Sequence, residues 1–270
     1  MSVDASAFEL GDVGGSGPAL LCLHGLTGTP YEARPPLELI ERMGFACLGP
    51  VLPGHNSTPR ELNGTHRSAW LETVLGAYDR LAATHSRVYT LGLSLGGLLA
   101  LWVAAERPVR GALVLAAPLD LGPLVSYGVP VLCRVIESLR KIPSIIDPEA
   151  RERHPGYRRM PLRAVSELLV LQRELKPKLA GIRAPVRLLY SHLDRTVRPH
   201  NAELIRGALE SSDARVEYLM RSGHVITCDV ERDRVAAWIV HSLAELEQAS
   251  VDGRDAGVLE SFHDVPQASE

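Results

Sequence analysis

Residues 90–102 read TLGLSLGGLLALW, with one serine, Ser94, set between Gly92 and Gly96. The pentapeptide alone is weak, because 23 glycines and 19 serines among 270 residues supply about 0.13 copies of G-x-S-x-G by chance. Its surroundings carry the reading. Before it, VYTL (88–91) is a short uncharged run suited to a strand covered on both faces. After it, LGGLLALWVAAE (95–106) is almost wholly apolar, the composition of a buried helix. A strand that turns at once into a helix strains the residue at the turn, and side chains two positions to either side would collide, hence glycine at 92 and 96. Such strain costs about 1–3 kcal/mol and persists where function needs it. The helix also aims its first amides and the positive end of its dipole at charge developing beside Ser94.

Working outward, short apolar runs at 19–23, 46–51, 88–92, 111–116, 186–191 and 215–219 alternate with helical patterns at 31–43, 68–84, 95–106, 200–209 and 229–248. This alternation predicts an α/β fold, a mostly parallel sheet flanked by helices. One interval breaks the rhythm: residues 118–185 separate two strands where a simple crossover takes roughly a dozen residues or more. The interval holds helical patterns at 131–139 and 162–175 around the charged, proline-broken KIPSIIDPEARERHPGYRRMP (141–161). An excursion from the C-terminal edge of such a sheet is expected to form a small helical cap over a pocket, since open α/β sheets bind ligands at that edge. The expected organisation is an N-terminal segment (1–17), a core of 18–117 and 186–248, a cap of 118–185 and a polar, helix-poor tail of 249–270.

Composition narrows the function. The chain carries 29 basic and 32 acidic residues, a net charge of −3, without a block of like charge, so neither nucleic acid nor an anionic membrane is an expected partner. The longest nearly uncharged run, 111–132, is interrupted by Pro118, Asp120, Pro123 and Pro130, which argues against a membrane span. Cys22, Cys47, Cys133 and Cys228 fall in no metal-ligand or C-x-x-C spacing and are expected as buried reduced thiols. The first residues, MSVDASAFELGDVGGSG, lack the basic and apolar regions of a secretory signal. A cytoplasmic protein is expected.

A serine hydroxyl at neutral pH needs a base, and the base needs a group to fix its tautomer. Among ten histidines, His224 in MRSGHVITCD stands out, in a short loop between the strand at 215–219 and the last helix. Asp194, in LLYSHLDRTVRP, follows the strand at 186–191. Ser94, Asp194 and His224 thus all fall at C-terminal ends of strands. Asp120, after the strand at 111–116, is a rival acid. An acyl-transfer site also needs two amides aimed at the oxyanion, each worth roughly 2.7–4 kcal/mol. Leu95, just after the serine, supplies one; Leu26 in LHGLTGTP, beside Gly25, supplies the other. His24 and His55 read as loop-bracing hydrogen bonders. No metal-binding spacing and no phosphate-binding glycine loop occurs, so neither metal nor cofactor is expected.

Together, LLCLHGLTGTP, LPGHN, LGLSLGG, LLYSHLDRTVRP and SGHVITCDVERDRV resemble the bacterial carboxylesterase and monoacylglycerol lipase group of the α/β-hydrolase fold, over residues of about 18 to 246. The resemblance implies Ser94 as nucleophile, His224 as base, Asp194 as acid and Leu26 and Leu95 at the oxyanion hole. It also implies a small helical cap over an apolar acyl pocket and no cofactor. The expected substrate is a short- or medium-chain ester, a monoacylglycerol being one example. The same three residues also serve thioester, amide or carbon–carbon cleavage on this fold, and a non-catalytic binding protein is the remote alternative. The group often has methionine where Leu95 stands, which leaves the amide unaffected. Its pocket residues do not carry over onto the arginine-rich cap stretch.

Overall fold

The computed structural model describes residues 3–142, 144–210 and 213–261. The six expected strands form, as β2 (Pro18–Leu23), β3 (Ala46–Gly49), β4 (Arg87–Leu93), β5 (Gly111–Leu115), β8 (Val186–Ser191) and β9 (Ala214–Leu219), and three short ones join them: β1 (Phe8–Leu10), β6 (Ser138–Arg140) and β7 (Arg159–Pro161). Seven of them form one sheet in the order β1-β3-β2-β4-β5-β8-β9, while β6 and β7 pair separately. All neighbours in the large sheet are parallel except β1, which lies antiparallel along β3. Side chains alternate across the sheet, so Leu21 and Leu23 enter one core with Trp70 and Leu99, and Leu20 and Cys22 enter the other with Tyr89 and Ile239.

The helices are α1 (Leu37–Arg42), α2 (Pro59–Asn63), α3 (Arg67–Ala82), α4 (Leu95–Glu106), α5 (Pro123–Leu132), α6 (Pro148–Arg153), α7 (Leu162–Leu175), α8 (His200–Ala208) and α9 (Arg232–Ser261). Buried residues of α3, α4, α7 and α8 belong to the first core, and those of α1 and α9 to the second. From β2 the chain crosses to β3 on one side, then returns to β4 on the other side of β2. Strand order therefore reverses between β2 and β4, the place where open α/β sheets form a crevice. Leu23 pairs with Gly92 in register, which brings the loops after these two strands out side by side.

Several elements differ from the sequence expectation. The helix expected at 31–43 is a 3-10 turn, Pro30–Ala33, followed by α1, because Pro35 and Pro36 interrupt it. The helix expected at 131–139 lies earlier, as α5: Pro123 suits a first helical position, and 138–140 are drawn into a hairpin with 159–161. Part of the N-terminal segment expected at 1–17 is strand β1. The last helix starts at Arg232 after a 3-10 turn, Ile226–Cys228, and runs on to Ser261, beyond the expected end at 248. Helix propagation carries it through Gly253 and Gly257, which cost about 1 kcal/mol each relative to alanine. Residues 262–270 of the expected tail lie outside the described residues. Cys22, Cys47 and Cys228 are free and buried, whereas Cys133, also free, is only half-buried, since α5 turns no fully buried residue inward. No described helix is long and apolar enough to cross a membrane.

Candidate active site

Ser94 stands between the end of β4 and the start of α4, with φ 56° and ψ −115°, backbone angles that a non-glycine residue rarely adopts. Its amide donates to the Leu115 carbonyl at 2.8 Å, and its carbonyl accepts from Gly97 at 2.9 Å and Leu98 at 3.2 Å. A Cβ at Gly92 would strike the Gly96 carbonyl, and one at Gly96 would strike the Leu23 carbonyl. The two glycines thus let β4, α4 and β2 close around the serine, and the surrounding bonds hold its strained backbone.

His224 comes to Ser94 from the loop after β9, and Asp194 from the loop after β8. Asp194 Oδ1 accepts from the amides of Thr196 at 2.8 Å and Val197 at 2.9 Å, which aims Oδ2 at the imidazole. His224 Nδ1–H donates to that Oδ2 at 2.7 Å, and Ser94 Oγ–H donates to His224 Nε2 at 2.9 Å; the tautomer is assigned from these partners. The three side chains are nearly shut off from solvent, at 9% (Ser94), 5% (Asp194) and 7% (His224) exposure. In this arrangement the imidazole can take a proton from the hydroxyl, and the buried carboxylate can stabilise the cation that results.

Two acids that the sequence did not single out hold the His224 loop. Asp229, fully buried, accepts from the amides of Gly223, Ile146, Asp147 and Val230. Glu231 accepts from the amides of Arg221 and Ser222. The His224 amide itself donates to the Ser144 carbonyl at 2.7 Å, so the 118–185 insertion is tied directly to this loop. Two acids lying five and seven residues beyond His224 are the only sequence signal for these contacts.

The loop after β2 reaches the other side of Ser94; a Cβ at Gly25 would lie 3.4 Å from that of Ser94. Among the described residues, neither the Leu26 nor the Leu95 amide donates to a protein acceptor, which leaves both free for an oxyanion. The Gly25 amide donates to Glu32 Oε2 at 2.8 Å, and His154 Nε2 donates to Glu32 Oε1 at 3.0 Å. Burial alone would raise the Glu32 pKa, but the hydrogen bond and charge of His154, the neighbouring His24 and the Gly25 amide hold it down at about 2. His24 Nδ1–H donates to the Gly25 carbonyl and its Nε2 accepts from the Leu52 amide. Thr27, at φ 66°, accepts from Lys141 Nζ at 2.8 Å through Oγ1 and from the Tyr157 amide at 2.9 Å through its carbonyl. Asp120 lies apart from the imidazole: its Oδ1 accepts from the Gly122 amide, and Oδ2 faces His200 at 3.6 Å. Among the described residues no group of His, Cys, Asp or Glu is placed to hold a metal ion.

The reversal of strand order, the strained serine and the three-residue relay are features of one hydrolase architecture, and a model of the alpha/beta hydrolase family matches residues 20–238. The chain belongs to the alpha/beta hydrolase family. This alpha/beta hydrolase is 27% identical over 237 residues to a carboxylesterase of Bacillus subtilis (strain 168), a match covering 86% of this chain and 95% of the relative. It is 28% identical over 225 residues to a thermostable monoacylglycerol lipase of Bacillus sp. (strain H-257), covering 82% and 88%. Its fold superposes on that of a metagenome-derived lipolytic enzyme with a TM-score of 0.81 at 26% identity, over 90% of the hydrolase and 98% of that chain.

Proposed function

We propose that this chain is a serine carboxylic-ester hydrolase for short- to medium-chain acyl esters, monoacylglycerols among them, and that it works through an acyl-enzyme. The supporting observation is the continuous relay from Ser94 Oγ through the His224 ring to Asp194, with Ser94 in strained backbone geometry. The choice of an ester draws on the similarity to a carboxylesterase and a monoacylglycerol lipase. Ser94 Oγ attacks the ester carbonyl carbon as its proton passes to His224 Nε2. The carbonyl oxygen becomes an oxyanion held by the amides of Leu26 and Leu95, and Asp194 stabilises the imidazolium. The tetrahedral intermediate collapses, the acyl–alkoxy bond breaks, and the alcohol departs with the proton from His224. Water then adds to the acyl-serine, giving a proton to His224, and a second collapse releases the carboxylic acid and returns the proton to Ser94 Oγ. The free thiols at Cys22, Cys47, Cys133 and Cys228 fit a reducing compartment, and we assign the enzyme to the cytoplasm.

Ser94→Ala tests the mechanism. Hydrolysis of p-nitrophenyl butyrate is expected to fall by at least about 10³-fold, and covalent labelling by a fluorophosphonate is expected to vanish. Full activity in the variant overturns the mechanism. A series of p-nitrophenyl esters of rising chain length, run beside monoacylglycerols, tests the substrate class.

A further inference from the structure

The insertion holds a cavity of about 630 Å³ whose lining includes Arg140, Lys141, Arg151 and Arg158 and no Asp or Glu. That volume suits a small organic ligand. The concentration of charge is regional: residues 118–185 carry twelve Lys and Arg against seven Asp and Glu, in a chain whose acids otherwise prevail. The positive charge is poorly matched within the protein. Arg140 and Arg151 make no side-chain hydrogen bond or ion pair among the described residues, and Arg158 reaches only the Glu152 carbonyl, at 3.3 Å. Lys141 spends its bond on a neutral hydroxyl, Thr27 Oγ1; its pKa is lowered by burial, partly opposed by Glu32, with Arg158 adding to the lowering. Glu32, a buried acid that acts on Lys141, already accepts from Gly25 and His154. Cations gathered in one concavity repel each other and gain by taking up a counter-charge.

We infer that this cavity is an anion-binding site for a carboxylate- or phosphate-bearing ligand, which Arg140, Arg151 and Arg158 would engage directly. The site borders the catalytic loops without including the triad. Lys141 bonds Thr27, next to Leu26, and Ser144, another lining residue, accepts from the His224 amide through its carbonyl. An anion carried by the ester substrate and an independent small anion would both meet this chemistry.

The first measurement uses Ser94→Ala protein, so that binding is read whether or not the chain is an esterase. Inorganic phosphate or succinate is expected to raise its Tm saturably, by about 3 °C at ten times Kd, relative to sodium chloride at equal ionic strength. Adding Arg140→Ala and Arg151→Ala is expected to weaken binding at least about tenfold while the unliganded Tm stays level or rises, since repulsion is relieved. Absence of a saturable rise over chloride, or an equal rise with both arginines removed, overturns the site. The second measurement compares p-nitrophenyl hemisuccinate with neutral p-nitrophenyl butyrate in the otherwise native protein. If kcat/KM falls about tenfold for the anionic ester alone in Arg140→Ala/Arg151→Ala, the site reads the substrate's own anion. If the ratio holds while phosphate binding is lost, the site serves a separate anion.

Discussion

At the scale of single residues, the serine was legible because its requirements are local. Gly92 and Gly96 are demanded by backbone atoms within the turn and by the Leu23 carbonyl across it, and a strand followed by a helix is readable from 88–106. Asp194 and His224 were legible from their positions after strands, a topological signal. Glu32 and Asp229 were not, because a buried carboxylate that accepts backbone amides leaves no local pattern, and some of its partners lie tens of residues away in sequence, as with Asp229 and Ile146 or Glu32 and His154. The role proposed for Asp194 yields a specific expectation. Asp194→Asn keeps an oxygen for the Thr196 and Val197 amides but turns an N–H donor toward His224 Nδ1. The ring must then accept at Nδ1 and carry its proton on Nε2, where the lone pair facing Ser94 is lost. Ester hydrolysis is expected to fall by about 10⁴-fold, with a Tm close to that of the native protein. Steady-state kinetics beside a thermal melt tests this, and activity within tenfold of native would refute the assigned tautomer.

At the scale of elements, the core strands and α4 follow from continuous apolar runs, and α7 from its helical spacing. What escaped were elements set by partners remote in sequence. Strand β1 is three residues long and exists through pairing with β3; β6 and β7 are equally short and pair across α6. Local propensity has little purchase on such pieces. The hairpin has a mechanical consequence, since the insertion reaches the site through backbone bonds: Tyr157 to Thr27, Ser144 to His224, and Ile146 and Asp147 to Asp229. Asp229 joins two elements at once. Asp229→Ala leaves the buried Gly223 amide and the part-buried Ile146 and Asp147 amides without their acceptor, at a cost of about 3 kcal/mol in all. A fall of this size in the urea unfolding free energy is expected, together with faster proteolysis within 141–161 at native temperature. Resistance equal to native would show that the insertion is held by other contacts.

At the scale of the whole molecule, the reversal of strand order between β2 and β4 gathers Ser94 and the segments 24–29, 194–197 and 222–231 at one edge, where His24, His55 and Glu32 are also buried. His55 packs against His24 with ring centroids 4.8 Å apart. Its Nδ1–H points to the Leu52 and Pro53 carbonyls, and its buried Nε2 has no partner. A second proton there would enter an apolar setting, so burial and then His24 push the His55 pKa down to about 3. Burial also lowers His24, against the pull of Glu32, and Glu32 itself lies at about 2. All three folded-state values lie below the ordinary ones, so the unfolded chain binds more protons as pH falls through about 6.5 for the histidines and about 4.5 for the glutamate. Unfolding free energy therefore drops with acid, by up to about 1.4 kcal/mol per pH unit for each group. The stabilisation is complete above about pH 6.5; the His55 share is lost toward about 3 and the Glu32 share toward about 2. Urea unfolding at pH 7, 6, 5 and 4 is expected to show a decline that begins between 7 and 6 and steepens below 5. In His55→Gln, which cannot take up the proton in either state, the slope between pH 6 and 5 is expected to shrink by about 1.4 kcal/mol per unit. An unchanged slope in that variant would mean that His55 is already protonated in the folded protein, and the neutral ring packed between His24 and Trp70 would have to be abandoned.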